Sequence, residues 1–402
     1  MTSLPPAETP PPQRIPELDV FRGIAILGIL LLNIRDFSMS SGAYWWPASY
    51  DHFQGWRDHL AWALTEIFGS RKFYSTLALL FGAGIFLMSR DAARPASSHY
   101  RRMIALFLLG LLHAYLIWPG DILYHYAICG AIAYPFRRLG PRVLALLGVI
   151  LLTGSIVSTT HEALHLQSFF FDSRDYPESL ADELEIYRGP WLGQSDTRIQ
   201  RARDSREFLR DPAFLAETLG LMFIGIALVK RGWPAATRGS PHLWPIAILG
   251  CILGWGIAAF SIGAWALTGF QMGGHYLLMS TGMTLASLPT IAGYLAAAQL
   301  WLGSGKLPAA ANALAAIGRT ALSNYLLQSL LATFIFHGQG LGLIGTLGRD
   351  TQLLVVLLIW TIQITLTLFW LDHHPRGPVE SLLRRISGRN RPEDPRSNFF
   401  AQ

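Results

Sequence analysis

Residues 101–126 read RRMIALFLLGLLHAYLIWPGDILYHY, and the reading of the whole chain turns on them. Two arginines open an apolar run interrupted by His113, Pro119-Gly120 turns the chain, and Asp121 opens a second apolar run that contains His125. The pattern predicts a helical hairpin embedded in lipid. Packing alone does not call for an imidazole and a carboxylate there. Ionisable groups within a membrane segment cost about 2.5–3.5 kcal/mol at mid-helix on insertion scales, so they mark functional positions by default. The hairpin reads as one wall of a polar site that opens to one membrane face.

Composition supports the same class. Of 402 residues, 51% are hydrophobic and only 14% charged, with a mean hydropathy of +0.33. A soluble chain of this length carries roughly a quarter charged residues, so the expected fold is all-α, a polytopic membrane helix bundle of about ten transmembrane helices. Cys129 and Cys251 both lie in apolar runs and read as small buried hydrophobes, with no metal motif and no disulfide framework. The net charge of +6 would suggest nucleic acid in a soluble protein. Here it reads as arginines flanking helices on the cytoplasmic side, and no nucleic-acid partner is expected.

Outward from the hairpin, residues 1–16 are proline-rich and read as a disordered tail rather than a signal peptide. Residues 17–385 form one membrane domain, and 386–402 a basic cytoplasmic tail. The expected spans are 20–34, 73–88, the two arms of the hairpin, a fifth run ending near 156, then 214–229, 243–267, 276–302, 320–336 and 353–371. Residues 57–69 suit a short amphipathic helix. Residues 161–210 are charged, with helical stretches such as PESLADELEIYRG, and read as an extramembrane insertion. No internal repeat supports inverted-repeat symmetry. FGAG (81–84) suits close helix packing, and GQGLGLIG (338–345) a mobile outer loop.

Threading these spans with the N-terminus inside puts Arg90, Arg94, Arg101, Arg102, Arg137, Arg138, Arg142, Lys230, Arg231, Arg238 and Lys306 in short inner loops. Both termini are then cytoplasmic in a cell (inner) membrane, with 161–210 outside, since long loops escape the positive-inside rule. Arg35, Arg57, Arg71 and Lys72 are the outer-side exceptions.

The polar residues that lipid would not tolerate sort by depth. Asp19, Arg22 and Arg319 lie near the cytoplasmic ends; Asn33, Arg35, Asp36, His113, Asp121, His125 and His337 lie toward the outer ends. Asn324 and Gln328, four apart, share one helix face and suit either helix–helix hydrogen bonding or substrate contact. His113 precedes the turn by about five residues, roughly 7–8 Å below the helix end. From there the gap to Asp121 is expected to exceed a direct hydrogen bond, with a water or a substrate between them. A carboxylate that orients a neutral imidazole makes a general base near physiological pH. Asp121 equally suits the N-cap of the returning helix. Asp19 and Arg22, three apart, suit either mutual pairing or an anion site at the inner mouth. His373-His374 beside Asp372 lacks a further ligand, so no metal site is expected.

Several segments together resemble the YeiB-like family, catalogued as domain of unknown function 418. They are LDVFRGIAILGILLLNI (18–34), RKFYSTLALLFGAGI (71–85), YRRMIALFLLGLLHAYLIWPGDILYHYAICG (100–130), GRTALSNYLLQSLLATFIFHGQGLGLIG (318–345) and RGPVESLLRR (376–385). Arg22, Asn33, Lys72, His113, Asp121, Asn324, Tyr325 and Gln328 fall on positions that resemble the family's recurring ones, whereas His125 does not. More distantly, the LDxxRG entry to the first span is similar to the transmembrane acyltransferase superfamily, which includes the heparan-α-glucosaminide N-acetyltransferases and the acyltransferase-3 proteins. Acyltransferase-3 proteins carry a histidine near the end of that span, where this chain has Asn33, which makes His113 the leading replacement base.

The resemblance implies an integral membrane acyltransferase that uses acyl-CoA, most simply acetyl-CoA, as co-substrate. The acceptor would be a hydroxyl or amine of a small-molecule or glycan-like compound on the outer side or in the bilayer. His113 and Asp121 would be catalytic. Arg22, Arg101, Arg102 and Arg319 would hold the CoA phosphates, since guanidinium suits bidentate recognition. Asp19, Lys72, Tyr325 and Gln328 would complete the binding set, with Asn33 or Asn324 on the oxyanion. A proton-coupled transporter or exporter with the same intramembrane groups is the alternative. A homodimer is compatible with either.

Overall fold

A computed structural model describes residues 15–90, 95–167 and 177–388. The expected 1–16 tail falls almost wholly outside these residues, as do Arg94 and all but the first three positions of the 386–402 tail. Among the described residues the chain is helical, with no β-strand. In chain order the helices are α1 (Pro16–Ser38), α2 (Ser41–Trp45), α3 (Trp56–Phe68), α4 (Lys72–Ser89), α5 (Ala96–Leu116), α6 (Leu123–Phe136), α7 (Pro141–His165) and α8 (Pro177–Arg188). They continue with α9 (Ser195–Leu209), α10 (Pro212–Lys230), α11 (Leu243–Leu267), α12 (Gly274–Gly303), α13 (Pro308–Arg319), α14 (Ala321–Phe336), α15 (Arg349–His373) and α16 (Pro378–Ile386).

Every apolar run read from the sequence is a helix. Among the described residues six helical stretches are long and apolar enough to cross a membrane: Trp56–Ser89, Pro141–His165, Pro212–Lys230, Leu243–Leu267, Gly274–Gly303 and Arg349–His373. The apolar α14 is shorter. The protein is thus a helical membrane protein. Its outer helices α7, α11 and α15 expose large apolar side chains such as Leu146, Leu249, Phe260 and Phe369, as lipid contact demands.

Several boundaries differ from the sequence reading. Residues 57–69 form the expected short helix, α3, but it runs almost continuously into α4, interrupted near Arg71, which takes a left-handed conformation (φ 63°). Helix α7 continues to His165, so the insertion begins later than residue 161, and α8 and α9 fill much of it. Helix α13, rich in alanine after Pro308, was not anticipated. Residues 338–345 are not a free loop: the Gly338 amide donates to Tyr187 O, Ile344 N to Phe336 O and Gly345 N to Ser38 O, each at 2.8 Å.

Two kinds of contact hold the bundle. The first is close backbone approach at glycine. In α4 and α10 a Cβ on Gly225 would lie 1.9 Å from the carbonyl oxygen of Leu79, and one on Gly82 2.1 Å from that of Met222. FGAG therefore packs as expected, through its first glycine. The second is a polar seam along α1, α14 and α15. Gln328 Nε2 donates to Ile26 O (2.9 Å) and Gln363 Oε1 (3.1 Å), Gln363 Nε2 to Asn324 Oδ1 (3.0 Å), and Asn324 Nδ2 to Thr367 Oγ1 (3.0 Å). Such bonds hold helices together where lipid gives no hydrophobic drive to do so.

The glycine contacts give a direct test. Gly225→Ala must push α4 and α10 apart and should cost about 1–3 kcal/mol of stability. Gly84 has open space around its Cβ position, so Gly84→Ala should be neutral or slightly stabilising. Thermal unfolding of the detergent-purified variants, followed by circular dichroism, checks both.

Candidate functional site

The site is built on the α5–α6 turn. Helix α5 ends at Leu116, before the Pro-Gly turn, so His113 lies in its last turn, closer to the end than expected, and its carbonyl accepts the amides of Ile117 and Trp118, both at 2.9 Å. Gly110, one turn earlier, lets the returning chain lie against α5: a Cβ there would sit 2.5 Å from Tyr124 N and 2.7 Å from Asp121 Oδ1. That approach closes the expected gap. His113 Nδ1 and Asp121 Oδ2 are 2.7 Å apart, in direct hydrogen-bond contact, with no room for a bridging water.

Asp121 performs both roles that the sequence allowed. Its Oδ1 accepts the amides of Leu123 (2.8 Å) and Tyr124 (3.3 Å) at the start of α6, while Oδ2 holds His113. The Tyr325 hydroxyl, from α14, lies 3.4 Å from the same Oδ2. Both members of the pair are essentially fully buried, 1% and 0% exposed. An ionised carboxylate only accepts, so in the neutral imidazole the proton is on Nδ1 and the lone pair on Nε2. Among the described residues that Nε2 has no hydrogen-bond partner. The ring is boxed by Tyr325 (centroids 5.4 Å apart) and Trp118 (6.0 Å).

Asp121, Trp118 and Tyr325 line a cavity of about 620 Å³. Asn33, Arg35 and Asp36 reach it from α1, Trp62 and Glu66 from α3, Arg71 and Tyr74 from the α3–α4 junction, and Trp265, Tyr276 and Ser280 from α11 and α12. Arg201 of α9 also faces it, bonded to Asp36 (2.6 Å) and paired with Glu183 (3.2 Å). Trp118 Nε1 donates to the other oxygen of Asp36 (2.5 Å). The insertion therefore covers part of this cavity: Arg198 Nε donates to Tyr115 O and Trp191 Nε1 to Leu116 O, at the end of α5.

The remaining residues expected at the site separate into groups. Lys72 is fully buried next to the cavity, its Nζ donating to Glu66 O at 3.2 Å. Asn324 and Gln328 belong to the polar seam, with their side-chain amides engaged by other helices. Asp19 and Arg22 pair with each other at 2.9 Å, near α13, whose last residue Arg319 donates to Pro375 O at 3.2 Å. Arg101 is exposed on α5, and Arg102 lies over the Phe81 ring, 5.8 Å from its centroid, and contacts Met88 Sδ. The four arginines form two groups, one at α1 and α13 and one on α5. His125, held by Thr218 Oγ1 at 2.9 Å, does not line the cavity.

Sequence reasoning missed Glu217, Glu66, Arg71 and Arg201. Glu217 Oε2 takes the Arg71 guanidinium at 2.8 Å, its other oxygen accepts the Tyr74 hydroxyl, and Arg71 also reaches Ser280 Oγ (2.8 Å). Glu66 pairs with Arg35. A signal existed for Glu217, a lone carboxylate inside the apolar run PAFLAETLGLMFIGIALVK, the same kind of oddity as His113. No such signal existed for Arg201, one arginine among several in the insertion.

Residues 228–390 match the family model described as a protein of unknown function (DUF418). The uncharacterized protein YeiB of Escherichia coli (strain K12) is 32% identical over 390 residues, 92% of this chain and 95% of that protein. The uncharacterized protein YxaH of Bacillus subtilis (strain 168) is 27% identical over 409 aligned residues, 96% of each chain. With identity at this level running through both chains almost end to end, the protein belongs to the YeiB-like DUF418 family.

Proposed function

We propose that this protein is a membrane acyltransferase in which His113, oriented by Asp121, is the general base. The observation that carries the reading is the buried His113–Asp121 pair, with Nε2 of His113 unengaged; Asp121, though not His113 itself, lines a cavity large enough for a small acceptor. An imidazole held in one tautomer by a carboxylate is the arrangement that activates a hydroxyl or amine. Nε2 takes the acceptor's proton as its oxygen or nitrogen attacks the thioester carbonyl of acyl-CoA, most simply acetyl-CoA. The carbon–sulfur bond then breaks, and the departing CoA sulfur takes the proton from His113. Asn33 and the Tyr325 hydroxyl, both on the cavity wall, are suited to donate to the oxyanion; the Asn324 amide is already engaged.

In this reading ten spans cross the cell (inner) membrane with both termini in the cytoplasm, and the cavity with its α8–α9 cover faces outward. The arginine bias of the short loops supports that orientation. The acceptor is a small-molecule or glycan-like compound in the outer space or the bilayer. Acyl-CoA comes from the cytoplasm, where Arg22, Arg101, Arg102 and Arg319 would meet its phosphates. The intramembrane pairs Arg71–Glu217 and Arg35–Glu66 favour a second reading, a proton-coupled transporter.

Three experiments separate these readings. With radiolabelled acetyl-CoA and membranes as the source of acceptor, His113→Ala and His113→Gln should lose about 10²–10⁴ in transfer rate. Asp121→Asn should keep its cap but present an amide donor to Nδ1, and so fall comparably; His125→Ala should stay close to wild type. Transfer at near wild-type rate by His113→Ala ends the mechanism, and absence of any transfer by wild-type protein favours transport.

Arg22 uses one nitrogen on Asp19 and keeps 29% of its side chain exposed. Arg22→Lys should therefore weaken CoA binding to purified protein by about tenfold, roughly 1.4 kcal/mol. Unchanged affinity would leave Arg22 with its Asp19 pairing alone.

Orientation is checked with single cysteines in a background lacking Cys129 and Cys251. Leu192→Cys, at a position 74% exposed, should react with a membrane-impermeant maleimide on intact cells, and Arg231→Cys should not. The reverse pattern inverts the topology.

A further inference from the structure

Charge is distributed unevenly around the cavity. On the wall made by α1, α3 and α4, Arg35 pairs with Glu66 and Arg71 with Glu217, which occupies both carboxylates. Lys72 is left over. It is fully buried, and its Nζ reaches the main-chain oxygen of Glu66 rather than a carboxylate. Arg349 adds a second surplus cation beneath the same wall. It is 3% exposed, its guanidinium sits over the rings of Tyr50 (5.8 Å) and Phe53 (5.6 Å), and its Nε and Nη1 have no partner among the described residues. Asp58 accepts the main-chain amide of Arg349 at 2.7 Å. With Asp58 counted, and with Asp36 of α1 turned to Arg201 on the opposite side, four cations stand against three carboxylates on this side.

The opposite wall has the reverse balance. Arg201 is shared between Asp36 and Glu183, and Asp121 adds a further carboxylate beside His113. A buried cation without a counter-charge is costly, and a low-dielectric cavity concentrates the resulting field on whatever enters it. Arg35 and Arg71 both line the cavity. Arg35 spends Nη1 on Glu66 and Nε on Leu32 O, which leaves Nη2 for an incoming oxygen.

We propose that Arg35 and Arg71 on the cavity wall, with the Lys72 charge buried behind them, bind an oxyanion, the phosphate or carboxylate of the molecule that occupies the cavity. The acceptor then carries negative charge at one end and its reacting hydroxyl or amine at the other, where Asp121 and His113 stand. Only the word acceptor rests on the acyl-transfer reading; the anion site stands equally in a transporter.

The test is saturable stabilisation of the detergent-purified protein, read as a rise in unfolding temperature, without acyl-CoA. The probes are inorganic phosphate, glycerol 3-phosphate, and mixed micelles containing phosphatidylglycerol, with glycerol and phosphatidylcholine micelles as the uncharged and zwitterionic controls. Stabilisation by at least one anionic probe and by neither control is expected. A response to the soluble phosphates assigns a free metabolite, and a response to phosphatidylglycerol alone assigns a lipid headgroup. Lys72→Met removes the surplus charge and keeps the volume, so it should weaken the response by about tenfold. Glu217→Gln frees a further positive charge while keeping hydrogen-bonding capacity, so it should strengthen the response. No saturable shift in wild-type protein, or equal shifts in wild type, Lys72→Met and Glu217→Gln, overturns the proposal. Because no acyl group is involved, failure of the His113 experiment would leave this result standing, and the converse holds as well.

Discussion

A single carboxylate ties the hairpin to the chemistry. Asp121 Oδ1 closes the first amides of α6, Oδ2 fixes the His113 ring, and the Tyr325 hydroxyl approaches from α14. In a medium without water each of these groups would be expensive to leave unpaired. One side chain therefore fixes the turn geometry, the imidazole tautomer and the position of a third helix together. The close approach at Gly110 makes this feasible, because it brings the returning chain against α5 one turn from His113.

The same constraint organises the rest of the cavity. Arg35–Glu66 and Arg71–Glu217 each join segments distant in sequence, and Arg201 joins the insertion to the end of α1 through Asp36. These pairs fix which segments meet and add little net stability, since the desolvation of a buried ion pair offsets much of its attraction. Stability comes instead from backbone approach at Gly82 and Gly225 and from the amide seam of Asn324, Gln328 and Gln363. A bundle stapled in this way can carry a polar cavity, because the load-carrying contacts and the cavity lining involve different residues.

Residues between α7 and α10 also contribute to the cavity. Helices α8 and α9 are hydrogen-bonded to the ends of α5 and α14 through Arg198, Trp191 and the Gly338 amide. They place Arg201 at the cavity. Tyr187, 1% exposed and with its ring tilted against that of His337, anchors this cover to the bundle.

Sequence alone determined the class, the apolar runs and the hairpin that carries His113 and Asp121, because hydropathy, charge bias and a misplaced ionisable group are local signals. It also marked Tyr325 and Lys72, but only through family resemblance, which says that a position recurs without saying what it touches. Tertiary structure alone decided which polar residues meet. Asn324 and Gln328 turned inward to a seam, while Glu217 reached the cavity-lining Arg71 and Arg201 reached the cavity itself, from 96 and 80 residues beyond Asp121. It also shortened the His113–Asp121 gap to a direct bond. Spacing along the chain sets the rise of one helix, whereas the distance between two helices depends on how closely their backbones approach, and that was set here by the missing side chain of Gly110.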